Sequence, residues 1–320
     1  MPHARKFRFG VAANDPATIR EVAKKAEDLG YSTLLLPDHM GRQGAPLLTC
    51  LAAAGATTRL RVGTQVLASD FRNPAVLAKE VATLDLLTGG RFELGIGVGW
   101  PATSATGRSD YAQTGLAVYE PGERVTRLAE SLRIIKAFLS SDRPVDFKGK
   151  HYQVQGLNPL PRPVQQPRPP IMVAGAGPRM MRLAAREADI INIAPRPPTV
   201  GPTPAGSMGF GLTMGDEIAL IREAAGERYA SLELCVFANN PASGNPAVTD
   251  SRDQWIDKLA SDLQTTREAV LAMPATLIGS VDSLVERLQR HREQYDISYR
   301  VIPLAAMEAF APVVKRLAGG

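Results

Sequence analysis

Three short stretches of the chain combine residue types that can do chemistry. The first is Asp38-His39, a carboxylate beside an imidazole. Histidine changes charge near neutral pH, so His39 is a candidate acid/base or hydrogen-bond donor and Asp38 a candidate for orienting a bound molecule. Position alone equally allows Asp38 to cap a turn and His39 to pack at a rim. The second is Gly95-Ile96-Gly97-Val98-Gly99-Trp100. Alternate glycines strip one face of an extended strand, so a flat ring could lie against it with Trp100 as a wall. Layer packing around a buried core tryptophan is the plainer alternative. The third is Ala174-Gly175-Ala176-Gly177-Pro178-Arg179. Glycines let a backbone approach an oxyanion, Pro178 suits the first position of a helix, and the N–H groups of a helix start favour phosphate. Arg179 and Arg182 add positive charge one turn apart. A tight turn that needs small residues would look the same. The pattern is not GxGxxG and no acidic ribose ligand follows at the usual distance, which argues against a nicotinamide dinucleotide.

Other chemistries find little support. The four histidines, His3, His39, His151 and His291, lack metal-ligand spacing. Cys50 and Cys235 each lie in an apolar run and read as buried structural thiols, with no CxxC pair. No Ser-His-Asp or Cys-His set can be assembled. The formal charge of +5 comes from Lys and Arg scattered among Glu on helices, which is not a nucleic-acid footprint. No run approaches the length of a membrane span and the first residues carry no apolar leader, so the chain is expected to be cytoplasmic.

The elements that must position these residues alternate between two periods. Near-continuous apolar runs mark strands at Phe7–Ala13, Thr33–His39, Arg61–Ala68, Arg91–Gly99, Ile171–Gly177, Asp189–Pro195, Leu232–Asn239 and Ser298–Leu304. Amphipathic stretches mark helices at Pro16–Leu29, Pro46–Ala56, Pro74–Leu87, Glu120–Leu139, Arg179–Glu187, Asp216–Ala225 and Val281–Gln294. Pro16 and Pro74 stand where a first-turn proline belongs, Gly30 and Gly89 where a helix ends. Eight strands in βα order within 320 residues predict a single (β/α)₈ TIM barrel spanning 1–320, with a doubly wound sheet as the alternative. The connections after strands four and seven are too long for one helix each and predict insertions. In a barrel, function gathers at the C-terminal strand ends. Those ends hold all three stretches, together with Asn14, Ala68, Ser69, Asn192, Asn239 and Pro303. The segment Pro195–Gly215, with five prolines, five glycines and the single charge Arg196, follows strand six. Met208, Phe210, Leu212 and Met214 alternate there, which predicts a lid with one apolar face or else a disordered loop.

Taken together, Leu36-Pro37-Asp38-His39, Gly63-Thr64-Gln65-Val66-Leu67, Phe71-Arg72-Asn73-Pro74, Gly89-Gly90-Arg91-Phe92, the strand-four glycines through Trp100, Ile171-Met172-Val173-Ala174-Gly175 and Leu277-Ile278-Gly279-Ser280 occur in an order that resembles the luciferase-like monooxygenase superfamily. The similarity is greatest to its branch using the deazaflavin coenzyme F420. It implies an oxidoreductase that moves a hydride between F420 and an organic substrate. An FMN-dependent monooxygenase, or a flavin-binding barrel without catalysis, stands as the alternative. It further implies that Asp38 and His39 face the deazaflavin and that Gln65-Val66 form a bulge with a non-prolyl cis peptide behind the ring. Gly99 and Trp100 would wall the pocket, and Gly175, Ala176 and Gly177, with Arg179 nearby, would receive the cofactor phosphate. Family members usually pair through barrel helices, so a homodimer is implied. Trp100 stands where the sugar-phosphate dehydrogenases of this branch carry an acidic glutamate, so the resemblance carries no sugar-phosphate specificity.

Overall fold

A computed structural model describes residues 5–41, 43–100, 104–193, 212–238, 252–262 and 265–318. The barrel strands are β1 (Arg8–Ala12), β2 (Thr33–Leu36), β3 (Arg61–Thr64), β4 (Leu67–Ala68), β5 (Phe92–Gly97), β8 (Ile171–Gly175), β9 (Ile190–Ile193), β10 (Glu233–Phe237) and β11 (Ile297–Pro303). All pair in parallel, and β3 and β4 are one barrel strand interrupted at Gln65-Val66, so both lie beside β5 and the sheet closes with eight staves. Each of the eight expected strands is present, trimmed by up to three residues at an end, except that β11 starts one residue early. The doubly wound alternative is excluded by the β1–β11 pairing.

Helices α1 (Ile19–Asp28), α2 (Pro46–Ala54), α3 (Pro74–Leu87), α6 (Pro178–Glu187), α7 (Met214–Ala225), α10 (Val281–Tyr295) and α11 (Met307–Leu317) lie on the outside. The insertion after β5 holds α4 (Ala105–Thr114), α5 (Pro121–Ser140) and an antiparallel hairpin of β6 (Val145–Lys148) and β7 (Gln153–Leu157). The insertion after β10 holds α8 (Arg252–Asp262) and α9 (Arg267–Ala272) ahead of α10. Helix starts follow their caps. Asn73 accepts from the N–H groups of Ala75 and Val76 with Pro74 behind it, so α3 begins where expected. Asp15 instead bonds the N–H of Ala17 and holds Pro16–Thr18 in a turn, which delays α1 to Ile19. Thr213 and Asp216 form a capping box, so α7 starts at Met214, two residues early, and Met214 is a buried helix residue. The rest of the expected lid, 195–211, and Asn239 lie outside the described residues.

Strand alternation sends half of the side chains into the lumen. Leu35, Met172, Ile190, Cys235, Tyr299 and Val301 fill its middle, and Ala12, Val66 and Phe237 pack on them. At the N-terminal end the lumen is ionic. Arg8 bonds Glu93 (2.5 Å) and Glu233 (2.6 Å), and Arg61 bonds Glu93 (2.5 Å). Burial would raise the Glu93 carboxyl, but Arg8 and Arg61 hold it below the usual range. Burial wins at Glu233, which is raised. A second buried charge lies outside the barrel, between β11 and α10. Arg300, 1% exposed, donates to the Pro274 carbonyl at 2.8 Å and lies 3.0 Å from His291 Nδ1. A guanidinium only donates, so Nδ1 accepts and the imidazole is neutral. Burial, then Arg300, Arg287 and Arg290, depress His291 to about 3.

Candidate active site

The C-terminal ends of the strands bring the three expected stretches to one mouth. The Gln65–Val66 peptide is cis. Beyond it, the Thr64 hydroxyl donates to the Gly95 carbonyl at 2.7 Å and accepts from the Gly95 N–H at 2.9 Å. A Cβ on Gly95 would stand 1.8 Å from the Thr64 carbonyl oxygen, and one on Gly97 would stand 2.8 Å from the Ala174 oxygen and 3.0 Å from Val66. The stripped face of β5 is therefore filled by the neighbouring strands and by Val66. This corrects the expectation of a ring lying on the glycines: Val66 is the surface presented to the lumen. Gly99 has φ +72°, and its missing Cβ makes room for Arg124, which donates to the carbonyls of Val98 and Trp100 and fixes the turn.

Asp38 is nearly buried. One carboxylate oxygen accepts from the Ala68 N–H (3.0 Å) and from Arg72, and the other accepts from Arg72 at 3.0 Å. The pair is bidentate and ties the end of β2 to the bulged strand. His39 leaves that anchor toward the mouth, with its Nδ1 2.8 Å from Asp110 on α4. Asp110 is buried, and its other oxygen accepts from the Met40 N–H at 2.9 Å. A carboxylate accepts, so Nδ1 carries the proton and Nε2 is left as the working edge of the ring. Trp100 is no core residue: it is 44% exposed, with its ring centroid 6.3 Å from that of His39. Behind this wall, Asp70 takes Arg127 (3.2 Å), Arg124 (3.5 Å) and the Tyr111 hydroxyl (3.2 Å).

Next to β5 around the mouth, β8 ends at Gly175 and runs on into Ala176-Gly177. Gly177 has φ 86° and ψ 161°, a region only glycine occupies freely, and Pro178 opens α6 with no side-chain cap. Gly177 thus offers no side chain to cap the first-turn amides of α6. Arg179 is exposed and reaches the start of α5, where its guanidinium would stand 2.8 Å from a Cβ on Gly122. Among the described residues, three buried polar atoms at the mouth have no protein partner: Gln65 Nε2, Ser69 Oγ and Asn192 Oδ1. These atoms, the apolar surface of Val66 and the uncapped α6 turn suit a flat heterocycle with polar edges and an anionic tail. Among the described residues no group of three or more His, Cys, Asp or Glu side chains could hold a metal ion.

Asp110 was not anticipated from the sequence. The available signal was that it is the only carboxylate between Trp100 and Glu120.

The profile of the luciferase-like monooxygenase family matches residues 3–202. The chain belongs to that family. Within it, the chain is 35% identical over 182 residues to the F420-dependent glucose-6-phosphate dehydrogenase of Amycolatopsis mediterranei, covering 54% of this chain and 52% of that protein. The corresponding enzyme of Kineococcus radiotolerans is 34% identical over 199 residues, covering 58% and 56%. The chain thus spans about half the length of the curated relatives it matches. Among solved structures, an F420-dependent secondary alcohol dehydrogenase superposes with a TM-score of 0.73 at 19% identity, covering 98% of both chains. A long-chain alkane monooxygenase gives 0.71 at 15%, covering 98% and 91%. These two structures share the luciferase-like barrel, which is all their low identity shows. No helix among the described residues is long and apolar enough to cross a membrane.

Proposed function

We propose that the chain is an F420-dependent oxidoreductase. The observation that carries this reading is His39, oriented by buried Asp110 at a mouth that also offers Val66, the unpaired amide nitrogen of Gln65 and an uncapped helix start. The named relatives support F420 in particular. Bound there, F420 would supply the hydride acceptor or donor. The protein's share is positioning and the proton. Gln65 and Val66 would back the ring, Gly99 and Trp100 would wall it, and Asp38 would act through Arg72 and Ala68 by holding the bulge in place. The backbone of Gly175, Ala176 and Gly177, with Arg179, would receive the phosphate and acidic tail. His39 would give or take the substrate proton through Nε2 while Asp110 keeps Nδ1 protonated. Trp100 replaces the acid of the sugar-phosphate enzymes with a flat apolar surface, which favours an uncharged substrate face.

A parallel titration with oxidised F420 and FMN tests this. Micromolar or tighter F420 binding with weak FMN binding is expected. A preference for FMN would support the monooxygenase reading, which the likeness to the alkane monooxygenase keeps in view. Binding of neither would leave a barrel without flavin chemistry.

The same reading extends to assembly. No charged residue occurs between Arg42 and Arg59, so α2 presents an uncharged face with Leu48 72% exposed, and neighbouring α3 adds Val76 (57%) and Leu87 (62%). Large apolar side chains this exposed mark an interaction surface, and a second copy of the chain would cover it. Light scattering should show a dimer that Leu48→Glu with Leu87→Glu converts to monomer; an unchanged mass would reject this face. Two buried free thiols, Cys50 and Cys235, suit the cytoplasm.

A further inference from the structure

Asn192 is a polar residue on the floor of the mouth, on a strand whose other residues are all isoleucine. It follows Ile190 by two residues on β9, so alternation puts it on the lumen side, one level nearer the opening. In register beside it stand Ala174 on β8 and Cys235 on β10, and Gly97 of β5 pairs with Ala174. Ala12, Val66 and Phe237, which pack on the lumen cluster, are apolar, and the other unpaired polar atoms of the mouth, on Gln65 and Ser69, belong to the bulged strand and its end. The Asn192 amide oxygen is buried and has no partner among the described residues. A leucine has the same branched outline, is somewhat larger and buries no unpaired acceptor, and such an acceptor costs free energy in the free protein. Packing therefore does not account for an asparagine here. The small residues on either side leave its oxygen open to whatever lies on the floor.

We infer that Asn192 is a cofactor-binding residue whose amide oxygen accepts a hydrogen bond from the ring of the bound coenzyme. This rests on the flavin or deazaflavin reading of the mouth. Only an N–H or O–H on the ring can serve an acceptor. Both coenzymes carry the imide N–H of the pyrimidine ring. The phenolic hydroxyl belongs to the deazaflavin alone, since FMN has a methyl group in its place.

The test is fluorescence titration of wild type, Asn192→Leu and Asn192→Ala with F420 and with FMN, together with the melting temperature of each ligand-free protein. Both variants should bind F420 about tenfold or more weakly, the order expected for one buried hydrogen bond. Equal weakening toward FMN identifies the imide N–H as the donor, and weakening confined to F420 identifies the hydroxyl. Ligand-free Asn192→Leu should melt no lower than wild type, because the unpaired acceptor is gone. Wild-type binding of either coenzyme with unchanged affinity in both variants overturns the role of Asn192 alone. Loss in the leucine variant only would reflect bulk, and a lower melting temperature of that variant would reflect packing; either overturns it. Wild type binding neither coenzyme removes the cofactor reading and this inference with it.

Discussion

Acid should weaken the fold through one imidazole. In the folded chain His291 is neutral, buried against Arg300 and flanked by Arg287 and Arg290, with its proton affinity pushed down to about 3 from an ordinary 6.5. Unfolded, it returns to the ordinary value. Between those two values the unfolded chain binds a proton that the native chain refuses, so stability is intact above the unfolded value and falls as pH drops below it. The slope is about 1.4 kcal/mol per pH unit, which amounts to about 2 kcal/mol lost by about pH 5. Glu233, raised by burial, takes up a proton in the native state and acts in the opposite direction, so wild type alone does not isolate the effect. The comparison is with His291→Asn, whose amide oxygen can stand where Nδ1 stands and accept from Arg300. Urea unfolding of both proteins at about pH 8, 6.5 and 5 gives the difference. Wild type should lose about 2 kcal/mol more than the variant across that range. Parallel losses in the two proteins would refute the buried neutral imidazole.

Three further substitutions probe the mouth. Gly95→Ala forces a methyl to 1.8 Å from the Thr64 oxygen and should cost about 4 kcal/mol or more, seen as a shifted denaturation midpoint or loss of soluble protein. Arg72→Met leaves the Asp38 carboxylate buried with only the Ala68 N–H, which should cost about 3–5 kcal/mol in the same assay; a loss under about 1 kcal/mol would show that Asp38 is not anchored this way. Asp110→Asn should slow single-turnover reduction or reoxidation of bound coenzyme by about 10–100-fold while coenzyme affinity stays the same, and should change the imidazole ¹⁵N shifts of His39; unaltered shifts would remove Asp110 from its role.

The barrel was legible because parallel strands covered on both faces write themselves as apolar runs, as in Ile171–Val173 and Leu34–Leu36. What escaped did so for identifiable reasons. Helix α4 has almost no apolar periodicity, and what it contributes is Asp110 against His39, a contact across 71 positions of sequence. The hairpin β6–β7 is largely exposed, so it lacks the buried pattern that marks a strand. Helix α11 carries Pro312 internally, which reads as a break although the helix continues through it. At the mouth, residue types pointed to the right places but not to the partners. Nothing in the order Asp38-His39 says that the carboxylate turns back to Arg72 while the imidazole looks to a different acid. The glycines of β5 reveal how closely backbones approach there, and only the fold shows that Val66 occupies the space.

The ionic floor of the lumen bears on how the chain becomes a barrel at all. Arg8, near the start, finds Glu93 a third of the way along and Glu233 far beyond it, and β1 is hydrogen-bonded to β11. Such contacts have very high sequence separation, so they form late, after long loops have closed, and the topology predicts slow folding. An amino-terminal fragment ending near residue 202, where the family profile stops, would contain Arg8, Arg61 and Glu93 but neither Glu233 nor β11. It would have an unpaired edge on β1 and an incomplete set of charges facing water. Stable, cooperative folding should therefore emerge only once the last strand is made, which sets a lower limit on any truncation that still works.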